Sequence, residues 1–268
     1  MRKLLFALVL TLLPMMAAHS AFDHEHKAWT ELLKKHLAVK DGGKASQARY
    51  AGFAQDRSQL KTYLESLSAV TEQEFKGWSK EQQLAFLINA YNAFTIEKIL
   101  TRYPNLKSIR DFGTFVGNPW KDKFFKLFGR EMHLDNIEHD TIRAPGAYDD
   151  PRIHFAVNCA SIGCPMLREE AFVATRLDAQ LEEQTVRFLA DRSRNRYNAQ
   201  NQALEVSSIF DWYGKDFGRG WKGYTALPQF FAKYAAQLAD KPEEQAAIRE
   251  QKASVKFLDY NWGLNDVK

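Results

Sequence analysis

The chain has 268 residues, of which 45% are hydrophobic, with 37 Lys and Arg against 33 Asp and Glu; this is enough for one or two domains of about 150 residues each. The formal net charge of +4, halved if Arg2 and Lys3 leave with a leader, falls short of the clustered basic face that nucleic-acid binding needs. The one local concentration, Arg187, Arg192, Arg194 and Arg196, reads as a solvated helix end. No Pro-, Gly- or Ser-rich linker, internal repeat or low-complexity tract divides the sequence, so residues 21–268 are expected to form a single globular domain.

In chain order, Met1-Arg2-Lys3 supplies a basic start, "LLFALVLTLLPMMAA" an apolar run, and Ala18-His19-Ser20 a small-x-small cleavage pattern. Residues 1–20 therefore read as a signal peptide, and the mature chain is expected to be periplasmic or secreted. No later run approaches the roughly 20 apolar residues of a membrane span, so none is expected after signal cleavage. "SKEQQLAFLINAYNAFTIEKILTRYP" predicts a helix with a capping box at Ser79 and Gln82, ending before Pro104. Its apolar residues run most of the way round the cylinder, so it should be buried on most sides. Asn89 and Asn92 lie on one flank, and as buried amides they must find specific partners in the segments around Glu138 or Cys159.

"FFKLFGREMHL" predicts a hairpin joined at Gly129-Arg130. "LDNIEHDTIR" predicts a short helix with Asp135 as N-cap. "RIHFAVNC" alternates apolar and polar residues and predicts a strand. A long helix over "TRLDAQLEEQTVRFLADR" and a strand at "ALEVSS" follow. Helices outnumber short strands, so the class is α+β: mostly helical, with a small, largely antiparallel sheet. Phe210, Trp212, Tyr213, Phe217, Tyr260 and Trp262 are expected to close the core.

Both cysteines, Cys159 and Cys164, fall in "NCASIGCP". An exported chain favours their pairing, and the turn from Ala160 to Gly163 permits it if the Cα atoms come within roughly 7 Å. A metal clip would need two further ligands, and the histidines at 133, 139 and 154 lack tight ligand spacing, so no metal and no other cofactor is expected. As a nucleophile, Cys159 would sit at a strand end, with a turn of small residues offering backbone N–H groups to an oxyanion.

A thiol nucleophile needs a base. On an unbroken strand His154 would face away from Cys159, which leaves His139, at the margin of its helix, within reach of the sulfur. Glu138 faces the apolar side of that helix and is expected to be braced by Asn89, Asn92 or an arginine.

The stretches "AFLINAYNAFTI", "LDNIEHDTIR", "RIHFAVNCASIGCPML", "LEVSSIFDWYGKDF" and "YNWGLN", in this order, resemble the domain-of-unknown-function 547 family of bacterial exported proteins and plant relatives, over nearly the whole mature chain. That family's activity is not established. The resemblance directs attention to Asn89, Tyr91, Asn92, Glu138, His139 and Cys159. It implies that plant relatives carry serine at the position of Cys164 and lack His154, which argues against an obligatory disulfide. It also implies a link to the papain-like and transglutaminase-like fold, in permuted form because His139 precedes Cys159. Asn261 departs from the family, which tends to carry Asp there.

Two functions follow. The first is a periplasmic cysteine-dependent amide hydrolase or acyl transferase acting on a peptide or peptidoglycan amide. Here Cys159 is the nucleophile, His139 the base, Asn89 or Asn92 an orienting or oxyanion group, and Glu138 a further site residue. The second is a catalytically silent binding or scaffold domain in which the same groups form a buried brace.

Overall fold

The computed structural model describes residues 21–113 and 117–267, so the leader read over residues 1–20 lies outside the described residues. At its centre is the helix Lys80–Leu100. From Gln83 to Leu100 every residue except Glu97 is buried, as the apolar wrap of the sequence requires. Ser79 Oγ accepts the Gln82 N–H at 3.2 Å and Gln82 Oε1 accepts the Ser79 N–H at 3.0 Å, so the capping box forms as read. Helices Tyr50–Gln55 and Arg57–Ala69 pack against this rod, and Lys27–His36 packs on both. Among the described residues no helix is long and apolar enough to cross a membrane.

Strands are short and gather in small sheets. Leu37–Lys40 pairs antiparallel with Ala45–Ala48, and Phe125–Leu127 with Arg130–Met132. In the third sheet Ala203–Ser207 lies between Arg196–Asn198, antiparallel to it, and Ser254–Leu258, parallel to it. The class is mostly helical α+β, as expected. The predicted 125–132 hairpin is present, but its turn is Phe128-Gly129, one residue early, with φ of 55° and 74°. Positive φ at both central residues is what the tightest hairpin turn demands.

The largest correction concerns "RIHFAVNC", which is not a strand. Asp150 accepts the Arg152 N–H at 3.0 Å, Pro151 opens a 3₁₀ turn over Pro151–Phe155, and the chain then runs irregularly through Cys159. Every residue from Pro151 to Asn158 is buried, so the alternation in sequence does not mark an inner and an outer face. The segment threads between two apolar clusters. Ile153, Ala156 and Val157 join the cluster built on the central helix, while Phe155 joins a second one with Phe188, Phe210, Phe217 and Phe230.

Without a sheet ladder, the backbone of this segment is paired by side-chain amides. Asn92 donates to Ala156 O at 2.9 Å and accepts from Asn158 N at 2.8 Å. Gln184 donates to Phe155 O at 3.2 Å and Met166 O at 3.0 Å, and Asn158 to Pro165 O at 2.8 Å. Asn92 thus holds the residues just before Cys159, while Asn89 holds a more distant point, exchanging bonds with Phe172 at 2.7 and 3.0 Å. The C-terminal segment closes the other side: Ile162 N donates to Gly263 O and Gly163 N to Asn261 O, each at 2.8 Å.

Asn92→Ala should lower unfolding free energy by about 2–6 kcal/mol in urea titrations, because it orphans the Ala156 carbonyl and the Asn158 N–H at roughly 1–3 kcal/mol each. A loss below about 0.5 kcal/mol, the ordinary range for a surface substitution, would show that the loop is held by other means.

Candidate functional site

The irregular segment ends at a cleft of about 200 Å³ at the junction of the two clusters. Cys159, Val157 and Pro165 form its floor; Tyr91 enters from the central helix; Asp135, Glu138 and His139 form one wall, and Trp212 and Tyr213 another. Cys159, His139 and Glu138 thus line one cleft, but the His139 ring bonds Arg143 and Asp135 and not the Cys159 sulfur. Asn89 and Asn92 stay in the core behind the cleft, each bonded to backbone.

Glu138 and His139 reach the cleft as neighbours because "NIEHDTI" forms a π-helix, Asn136–Ile142, rather than the expected α-helix. Its widened turn is closed by Arg143 N–H donating to Glu138 O at 2.9 Å and by Thr141 Oγ1 donating to Asn136 O at 2.7 Å. Single π turns of this kind are concentrated at functional sites. Asp135 makes no side-chain cap; its carboxylate lies 3.6 Å from His139 Nε2. Arg143 Nη1 donates to His139 Nδ1 at 2.5 Å, which leaves the ring proton on Nε2, towards Asp135. The expected brace on Glu138 is absent: among the described residues its carboxylate is bonded by neither Asn89, Asn92 nor an arginine. It is 5% exposed and looks into the cleft.

The thiol's surroundings are well defined. Cys159 Sγ lies 2.7 Å from Cys164 Sγ, 3.2 Å from the Tyr260 hydroxyl and 3.4 Å from Ser161 Oγ; both cysteines are free. Donation by Cys164 pulls the Cys159 thiol down; burial opposes this, and Ser161 and Tyr260 reinforce it. Burial, and the neighbouring Cys159, push the Cys164 thiol up. Cys159 is therefore the thiol of the pair that ionises first, and Cys164 the one that keeps its proton longer. No histidine nitrogen is among the hydrogen-bond partners of Cys159 Sγ.

His154, expected on the far side of a strand, lines this same cleft because the strand does not exist. Its Nε2 lies 2.8 Å from Asp216 Oδ2, its ring stacks on Tyr213 with centroids 4.2 Å apart, and its buried Nδ1 has no partner. Burial works to raise the Asp216 carboxyl, but hydrogen bonds from His154 and Arg143 outweigh it and hold the group well below the usual carboxylate range. Asp216 is therefore an acceptor, so His154 carries its proton on Nε2 and presents a bare Nδ1. Burial also keeps that imidazole neutral.

Of the backbone N–H groups expected to form an oxyanion hole, those flanking Ser161 are already spent. Asn158 donates to Asn92, Cys159 to Cys164 Sγ, Ala160 to Asn158 Oδ1, and Ile162 and Gly163 to the C-terminal segment. Ala160 holds φ at 62°, a strained value for a residue with a side chain, and this sharp bend brings Ser161 back against the sulfur. Among the described lining residues, the hydroxyls of Tyr91 and Tyr213 are free to donate into the cleft. Burial, then the charge of Glu138, raises both Tyr91 and Tyr213, so both stay protonated. The aromatic residues divide: Phe210 and Phe217 close the core as expected, but Trp212, Tyr213, Tyr260 and Trp262 line the cleft.

Fold and site together define a mostly helical α+β protein that displays a dithiol pair at the floor of an aromatic, acidic cleft. Residues 75–189 match the sequence model of a family described as "Protein of unknown function, DUF547". The match runs from the central helix through the π-helix and both cysteines. No curated protein and no solved structure matches the chain, so the papain-like relation rests on the resemblance alone.

Mild oxidation with diamide should join Cys159 to Cys164 in the folded chain, seen as loss of both free thiols and one cross-linked peptide. Cys164→Ser should fold and unfold within about 1 kcal/mol of wild type, because so short a loop contributes little entropy to a cross-link. A variant that fails to fold would mark the pair as a structural staple instead.

Proposed function

We propose that this domain is an exported cysteine-dependent acyl transferase or amide hydrolase with Cys159 as its nucleophile. The observation that carries the reading is a half-buried thiol shifted towards thiolate at the floor of an open cleft, supported by hydrogen bonds from three side chains. Structural cysteines in apolar surroundings are shifted the other way, as burial shifts Cys164 here.

In the proposed reaction, Cys159 Sγ attacks an acyl carbon as its proton passes to His154 Nδ1. The carbonyl electron pair moves onto oxygen, where the unspent Tyr91 and Tyr213 hydroxyls donate to it. Collapse expels an amine or alkoxide, which takes the proton from His154 and leaves a thioester. Water, or an acceptor amine, then attacks the thioester, again losing its proton to His154 and restoring the thiol. Asp216 fixes the imidazole tautomer throughout, the part an orienting carboxylate plays in a triad. His139, both of whose ring nitrogens face charged partners, completes the acidic wall beside Glu138, and Asn92 and Asn89 position the loops from behind. The leader read in residues 1–20 supports a periplasmic or secreted site of action, where peptide and peptidoglycan amides are the available substrates.

One observation favours the other reading, a ligand-binding domain without chemistry: the sulfur bonds no histidine. The two separate in one experiment with 4-nitrophenyl acetate, a small activated ester. Nitrophenol release with an acetyl thioester on Cys159, lost in Cys159→Ser and reduced at least about 100-fold in His154→Ala, supports the enzyme. His139→Ala should fall by about ten-fold or less, since that ring is not the proposed proton carrier. Release at the rate of free thiol in solution, unchanged by His154→Ala, would leave the binding domain.

A further inference from the structure

The cleft contains more negative charge than the proposed chemistry uses. Asp135 and Glu138 both line it beside the Cys159 sulfur, and no lysine or arginine does. Arg143, the nearest candidate counter-ion, is occupied by Asp216 at 2.6 Å and His139 at 2.5 Å. Glu138 is the focus of this charge. It is 5% exposed, is aimed into the cleft, and bonds no protein donor among the described residues. Its charge raises Tyr91, Tyr213 and Asp135 alongside their burial. Its oxygens open onto the cleft and are not sealed in the core, so a cation that enters the cleft meets a carboxylate without a protein partner.

The aromatic part of the lining already draws one cation of the chain, the Arg110 guanidinium, 5.2 Å from the Trp262 centroid. Trp212 and Trp262 stack with centroids 5.6 Å apart, and Tyr260 lies 4.9 Å from Trp212 and 4.5 Å from Trp262. Trp212 is 45% exposed, which is a poor position for a large ring unless its face has work to do. Ring faces attract ammonium groups electrostatically, and walls of several rings with a nearby carboxylate recognise alkylated or primary ammonium ions.

We infer that this cleft binds a cationic group, an ammonium or quaternary ammonium, seated between Glu138 and the Trp212–Tyr260–Trp262 wall. The inference rests on the proposed function only for its consequence, that the acyl substrate of Cys159 carries such a group next to the reacting carbonyl. The cation neutralises the Glu138 charge, which would otherwise oppose a developing oxyanion at Tyr91 and Tyr213.

The test uses choline and its neutral isostere 3,3-dimethyl-1-butanol as probes, following tryptophan fluorescence of the full chain. Choline should give a saturable change in the millimolar range, with the neutral isostere about ten-fold weaker or more. Glu138→Gln should abolish the difference, and Trp212→Ala, a change at an exposed position that leaves the core intact, should weaken choline alone. Cys159→Ser should bind choline as wild type does, so loss of ester chemistry in that variant and loss of cation binding are separate failures. Equal binding of the two probes, no saturable response to either, or a preference that survives Glu138→Gln would each overturn the inference.

Discussion

The structure depends on one kind of interaction: buried side-chain amides that satisfy the backbone of a segment with no strand partner. A chain buried on all sides must pair its N–H and C=O groups somewhere, and from Phe155 to Met166 it does so on Asn92, Asn158 and Gln184. A strand would have fixed the direction of Cys159 by alternation. The amides instead permit a 3₁₀ turn, an irregular run and the left-handed Ala160. That path brings His154 and Cys159 to one cleft and folds Cys164 back onto the same sulfur.

The electrostatics follow from that placement. Two thiols at contact distance in unequal surroundings cannot share a charge equally, and the more enclosed one keeps its proton. Around them, the π-helix supplies two consecutive polar side chains, Glu138 and His139, to the lining of the cleft. The cost is a carboxylate with no protein partner, the benefit a cleft with a defined sign of charge. Glu138 therefore belongs to the ligand's side of the account, whereas Asn89 and Asn92, equally buried, belong to the scaffold.

The parts of this arrangement that were legible in the sequence are those set by local rules. The helix Lys80–Leu100, its capping box, the hairpin and the helix Leu177–Leu189 follow from periodicity and end signals. The shared location of Cys159, His139 and Glu138 was also legible, through motif order. The false strand at "RIHFAVNC" arose because alternation carries meaning only for a segment with one dry face, and this segment has none. Pro151 after Asp150, a helix-start signal, was the contrary evidence in plain view. That one misreading hid His154. Asp216 and the tryptophan wall were hidden by a different cause: aromatic residues pack cores and line clefts with the same composition, and only tertiary position tells Phe217 from Trp212.

The central claim is that Cys159, and not Cys164, is the more readily ionised thiol of the cleft. It is tested most directly by the pH dependence of iodoacetamide alkylation, read separately for each cysteine peptide by mass spectrometry. The account predicts that Cys159 reacts with a midpoint below the ordinary thiol value of about 8.5, that Cys164 remains protected well above it, and that Cys164→Ala moves the Cys159 midpoint upward by removing its main donor. Equal midpoints for the two thiols, or a Cys159 midpoint unmoved by Cys164→Ala, would contradict it.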